Sequence, residues 1–346
     1  MVKVAIAGGS GQVAGEVIDA LLASNKHEIT ILSRRETLAT SKAPGIKWQV
    51  VDYNDKSALT EALRGTHTLL SFVQLLSDPG EKAQRNLIDA AIDAGVKRFA
   101  PSEYGRQVKR PILTNVININ INVPARKLTS ADSKSMVDMP WTSGKERIRG
   151  YLEQINAKAD VLEYTLFQPG LFLDYLAFPY RTSKHLDPLQ SVWDVERRRA
   201  LLVDGHEDDA VMTLTTVADN AAVVARAVDY HDGRWPTTGG IRGNRLTFAE
   251  IIGIGERVRG RPFAVEKVKV EDLEAGELKT SWRLEATHHA VSDEQASALL
   301  KAVSIGILLS SSKGAWDSSD ELNRLFPDYE FTSAASFLAK VWDGKP

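Results

Sequence analysis

Apolar and polar positions along this chain follow two rhythms in turn. Val2, Val4 and Ile6, with Ala5 and Ala7 between them, form a run that is apolar throughout, as in a strand covered on both faces. The run breaks into Gly8-Gly9-Ser10-Gly11, and then Val13, Val17, Ile18, Leu21 and Leu22 recur at helical spacing. Residues 28–33, 46–51, 66–73 and 97–100 read as further strands. A helix over 81–94 turns Leu87, Ile88, Ala91 and Ile92 to one side. From Trp141 helical spacing resumes with Ile148, Leu152 and Ile155, and 162–168 reads as a sixth strand, broken by Pro169-Gly170. Strands alternating with helices in this way predict an α/β fold with a doubly wound parallel sheet.

Past Phe172 the alternation weakens. Strands are expected at 211–216 and 265–270, and helices at 219–228 and from Thr247, where Glu250 three residues on completes a capping box. The last seventy or so residues read as mostly helical. The division expected is 1–170 for the sheet domain, with a loop insertion at 106–140, and 171–346 for a smaller C-terminal α/β substrate-binding subdomain partly interwoven with it. Within the insertion, Ile117 to Asn122 alternates strictly, as a short edge strand would. The segment reads equally as a lid or as a surface excursion.

A glycine turn between a buried strand and a helix is the context of a dinucleotide cradle. Gly8 would make the tight turn, Gly11 would admit a pyrophosphate, and Ala14 would let the helix pack close to the strand. Ser10 and the first helical N–H groups, at Gln12 and Val13, then face the phosphates. After the second strand come Ser33, Arg34 and Arg35, with Lys42 further on. Cations stand where a carboxylate would bind a ribose 2′-hydroxyl, so NADP(H) is favoured over NAD(H), with Arg34 ahead of Arg35. Asp52, at the end of the third strand, either accepts from the adenine amino group or caps the next helix. Ser71, Gln74, Ser102, Glu103, Pro169 and Leu171 fall at carboxyl ends of strands, where such folds bind ligands. Glu103, Tyr104, Phe172 and Tyr175 are expected to face substrate, in a region where Phe178, Tyr180 and Trp193 add to the aromatic content.

Composition narrows the alternatives. A 43% apolar content is that of an ordinary globular chain, and a net charge of −2 gives no general attraction to nucleic acid or anionic membrane. There is no cysteine, so disulfides and thiolate catalysis are excluded. No run is long enough to span a bilayer and the first residues enter a strand directly, so a cytoplasmic protein is expected, monomeric or homodimeric. The seven histidines are scattered apart from His288-His289, and no metal site is expected; His27, His67, His185, His206 and His231 read as solvated. Glu196-Arg197-Arg198-Arg199 reads as a solvated edge.

Several separated pieces together resemble one family: AIAGGSGQVAG, ILSRRE, VKRFAPSEYG, KERIRGYLE, TLFQPGLFLDYL, GGIRGNRLTFAEI and ELNRLFPDYEF. They occur in the order of the NmrA-like and isoflavone-reductase-like group of atypical short-chain dehydrogenases. The resemblance implies a Rossmann fold, NADPH-dependent reduction of a small aromatic or conjugated substrate, and a catalytic lysine at the start of a helix, here Lys145. The family's other branch implies a nucleotide sensor that binds NADP(H) and a protein partner without turnover. Between PSEYG and Lys145 lie about twice as many residues as expected of the plant reductases, so the family's pocket wall does not carry over to 106–140, nor with it the substrate class.

An ordinary short-chain dehydrogenase places a tyrosine four residues before its lysine. Here Trp141 holds that position, and Tyr180 with Lys184, the one true Tyr-x-x-x-Lys, lies beyond the sixth strand. Lys145 itself would then be the acid or base, its pKa lowered by partial burial or a neighbouring cation. Glu103 is either a second acid–base group or a carboxylate held by its own loop.

Overall fold

The computed structural model describes residues 1–35, 45–74, 78–104, 142–282 and 293–345. The apolar run Val2–Ala7 is strand β1. It is followed by α1 (Gln12–Ser24), β2 (His27–Ser33), β3 (Ile46–Val50), α2 (Lys56–Leu63), β4 (Thr68–Ser71), α3 (Lys82–Asp93), β5 (Arg98–Ala100), α4 (Thr142–Asn156) and β6 (Glu163–Tyr164). The strands form one sheet in the order β3-β2-β1-β4-β5-β6, and every neighbouring pair is parallel. Strand order reverses between β1 and β4, the place where open α/β sheets bind ligands at their carboxyl edge.

Both faces are covered, as the unbroken apolar strands require. Val4 and Ile6 pack with Val17, Ile18 and Leu21 of α1, whereas Ala5 and Ala7 face Leu59, Leu87 and Ile148 from α2, α3 and α4. The α1 face is completed from far along the chain. After β7 (Leu166–Gln168), β8 (Leu171–Phe172), β9 (Trp193–Asp194), β10 (Arg199–Val203) and β11 (Val211–Thr215) comes α5 (Val217–Asp229), which lies against α1. Ala221, Val224 and Val228 of α5 enter the same core as Val17 and Leu21. A second core gathers around β10 and β11, with Phe248, Ile251, Leu308 and Trp342.

Several sequence expectations change in the structure. The single strand expected at 162–168 is two. Thr165 donates its backbone N–H to Phe99 and its Oγ1 to the Pro236 carbonyl. The chain changes partners there, from β5 to β12 (Thr238–Gly240). Asp52 does not cap α2; Asp55 does, accepting from the Ala58 N–H at 2.9 Å. The capping box is present as expected, with Thr247 and Glu250 reciprocally bonded at the start of the helix Phe248–Arg259. Arg197 is exposed, as a solvated edge requires, though its guanidinium pairs with the buried carboxylate of Asp194; Arg199 is not solvated, folding onto the same carboxylate and lying 4.3 Å over the Trp282 ring. Lys42, Gly105, the insertion 106–140, Trp141 and His288-His289 fall outside the described residues. Among those described, no helix is long and apolar enough to cross a membrane, and no group of three or more His, Asp or Glu could hold a metal ion.

Nor are the histidines all solvated. The His27 side chain is fully enclosed; its Nε2 lies 3.2 Å from Asp229 but makes no hydrogen bond among the described residues. His67 is half-buried, with Nδ1 2.9 Å from Thr68 Oγ1. Burial holds both rings below the ordinary value of 6.5, outweighing the Asp229 charge at His27. An unfolded chain therefore takes up more protons than the folded one below about pH 6.5, and stability falls as pH drops through that window. Glu81 is lowered instead, by its bond to Arg147, so its contribution is lost only below about 4.5. We expect the urea midpoint to decrease between about pH 7.5 and 5.5. In His27→Gln that decrease should be smaller; an unchanged slope would count against this assignment.

Candidate active site

The turn after β1 is held from behind. Gly8 has φ +73°, and a Cβ there would stand 2.7 Å from the Phe72 carbonyl, so only glycine fits. Its N–H donates to Tyr53 Oη at 3.1 Å, and Tyr53 donates in turn to the Leu32 carbonyl at 2.8 Å. The Gly8 carbonyl accepts from Gly11 N–H at 3.0 Å. Gly11 is different: a Cβ there would meet only Gly8 O, at 3.3 Å. That single contact is tight; on its other sides Gly11 borders the cleft, and the missing side chain leaves the approach to α1 open. Gly11 is also the N-cap of α1 and no side chain closes that end, leaving first-turn N–H groups available to an anion. Ala14 is fully buried against the sheet.

Tyr53 was not anticipated as a site residue, because nothing local marks a tyrosine that reaches two other strands. Its phenol is pushed up by burial and remains a neutral donor and acceptor. Tyr53→Phe strands the Gly8 N–H and the Leu32 carbonyl, at a cost of about 1–3 kcal/mol. The urea midpoint should fall with an unchanged slope.

A cleft of 450 Å³ opens at this turn. Of the residues expected around a dinucleotide, Gly8, Ser10, Gly11, Ser33, Arg34, Asp52 and Gln74 line it. Arg35 is not on its wall; its backbone N–H and carbonyl are both tied to Ser33 Oγ. Asp52 accepts from the backbone and side-chain amides of Asn54, which hold its carboxyl below the usual value, with a smaller contribution from Lys82. Lys82, the first residue of α3, lines the cleft and brings a second cation to it. The only sequence sign of it was a helix start following a strand. Asp78 sets that start, accepting from Ala83 and Gln84 N–H.

Other expected cofactor residues stand elsewhere. Gln12 is bonded to Asp187, and Val13 packs against a small core of Phe172, Leu186 and Val217. Ser71 is fully buried, and the Pro169 carbonyl accepts from Thr215 Oγ1 at 2.8 Å. Leu171 belongs to the second core. Phe172 and Tyr175 meet edge to face at 6.0 Å, and burial raises the Tyr175 phenol well above its ordinary value. Tyr104 stacks on Phe72 at 4.4 Å and on Phe167 at 6.2 Å; its hydroxyl is buried without a hydrogen-bond partner among the described residues.

Lys145 lies in the first turn of α4, and its Nζ donates to the Glu103 carbonyl at 3.1 Å. Glu103 is 1% exposed, and among the described residues its carboxylate is bonded across to α4. Arg149 grips both carboxylate oxygens, at 2.8 and 2.6 Å. Ser102, half-buried, precedes it just beyond β5. Phe72 joins the two regions, lining the cleft and stacking under Tyr104, the residue after the one that anchors Lys145. Tyr180 and Lys184 share no helical turn: Tyr180 packs on Trp342 and Lys184 pairs with Asp19.

Residues 2–115 match the model of the NmrA-like family. Over nearly its whole length the chain is 27% identical, over 353 residues, to oxidoreductase swnN of Metarhizium robertsii, covering 99% of this chain and 98% of that one. Among solved structures, NADPH-dependent quinone oxidoreductase QOR2 of Escherichia coli, complexed with NADPH, superposes with a TM-score of 0.65 at 21% identity, covering 98% and 99% of the two chains. Leucoanthocyanidin reductase of Vitis vinifera, in a binary complex with NADPH, gives 0.63 at 17% identity and covers 99% of each. These two likenesses are of fold.

Proposed function

We propose that the protein is an NADPH-dependent reductase of a small aromatic or conjugated substrate, an enone, quinone-methide-like or phenylpropanoid-like molecule. The observation that carries the reading is the cleft itself. An open helix N-terminus, a glycine on the cleft wall that presents no side chain to it, and the two cations Arg34 and Lys82 meet there, and this donor set fits a phosphorylated dinucleotide. The names of the similar proteins, oxidoreductase, NADPH-dependent quinone oxidoreductase and leucoanthocyanidin reductase, point the same way.

When bound, NADPH supplies the hydride. The α1 N-terminus binds the diphosphate, and Arg34, with Lys82 beside it, neutralises the 2′-phosphate. Lys145 holds the proton, either giving it to a developing oxyanion or taking it from a substrate phenol. Phe172 and Tyr175 contribute the aromatic face of the substrate side. We place the division between the coenzyme-binding part and the substrate part near residue 170.

The test is binding and turnover of NADPH by purified protein, measured against quinones, enones and phenylpropanoid ethers. Coenzyme consumption with at least one class supports the reading. Tight NADPH binding with no consumption across the panel would favour the sensor role, and no binding would remove both.

A further inference from the structure

The buried pair Glu103–Arg149 has no evident purpose in stability. Glu103 is 1% exposed and the Arg149 side chain 11%, and a buried ion pair often holds a fold no better than apolar side chains of the same volume. Its position is more telling. Lys145 and Arg149 are one helical turn apart on α4, and both reach the same residue, the lysine at its backbone carbonyl and the arginine at its carboxylate. A closed ring results: Lys145, one turn of helix, Arg149, the Glu103 carboxylate, the Glu103 carbonyl and back to Lys145.

We propose that Glu103 and Arg149 are positioning residues for Lys145, fixing where its amine sits and, as a balanced pair of charges, how tightly it holds its proton. The inference rests on the reading of Lys145 as the proton-transfer group. The ring removes freedom from a long side chain at the point where misplacement costs rate. The Glu103–Arg149 pair carries no net charge, so the cation's push on the amine's proton is offset by the carboxylate's pull. Other charged groups among the described residues also face this helix. Glu81, which approaches the helix at Gly144, is gripped by Arg147 at 2.8 and 2.6 Å, and Glu146 and Glu153 on α4 act on Arg149.

The signature is a pair of opposite shifts. Glu103→Gln leaves an uncompensated cation one turn from Lys145 and should lower the pKa of the amine by about one unit. Arg149→Gln leaves an uncompensated carboxylate and should raise it by about as much. The double variant, with two amides facing each other, should return it near the starting value. The readout is titration of the Lys145 amine by carbon-13 NMR on lysine-labelled protein, assigned with Lys145→Arg, alongside the pH profile of kcat. A scaffolding role alone would lower thermal stability without moving the amine in opposite directions. If Glu103→Gln does not fold, the contrast between Arg149→Gln and the double variant carries the sign test. Arg149→Lys, which keeps the charge and loses the two-pronged grip, should lower kcat with KM and the pH profile little changed. An amine that titrates at the same pH in every variant, or shifts the same way in both single variants, overturns the inference. If the amine shifts as expected while the kcat profile stays still, the positioning stands and the catalytic reading of Lys145 fails.

Discussion

Lys145→Ala is expected to lower kcat by about 10²–10⁴, the range for losing a positioned proton-transfer group, while the dissociation constant for NADPH moves by no more than a few-fold. The separation follows from the structure. Lys145 bonds to the loop after β5, whereas the cleft is built from the β1 turn, the ends of β2 and β3 and the start of α3. Lys145→Arg keeps the charge but moves a bulkier, always-protonated group into the ring, and should not restore the rate. Steady-state turnover with coenzyme titration on the same samples decides the matter. If affinity and rate fall together, Lys145 holds coenzyme rather than transferring a proton.

The second large effect concerns coenzyme choice. Arg34→Ala should weaken NADPH binding by about tenfold or more while NADH binding stays nearly unchanged, because the lost contact is to a phosphate that only NADPH carries. The effect should shrink with added salt, since Arg34 is exposed at the cleft wall. Lys82→Ala should act in the same direction and more weakly, and Arg35→Ala should do little, because Arg35 does not line the cleft. Equal losses for both coenzymes in Arg34→Ala would show that the arginine serves the base or the diphosphate instead.

What could be read from the sequence was what is local in it. The glycine turn, Lys145 at the start of its helix and the Thr247–Glu250 capping box are each written within a few residues, and each stands where expected. Strand positions also followed from apolar runs, since a parallel strand buried on both faces leaves little choice of residue. What could not be read depends on partners far apart in sequence. Tyr53 meets Gly8, Arg149 meets Glu103, and His27 is enclosed beside Asp229. No spacing rule links such pairs. Asp52 and Asp55 show the limit at short range: both suit a helix cap, and three residues decide which one reaches the Ala58 N–H. The run 162–168 looks like one strand because a change of sheet partner at Thr165 leaves the side-chain pattern intact.

The interleaving of α5 with α1 bears on how the molecule is made. Val17 and Leu21 emerge from the ribosome early, yet Ala221, Val224 and Val228, which cover them, are translated much later. Until then the nascent nucleotide-binding half carries a bare greasy flank, and contacts so distant in sequence form slowly. A gene cut after residue 170 should therefore yield an insoluble fragment, rescued when the remaining half is co-expressed.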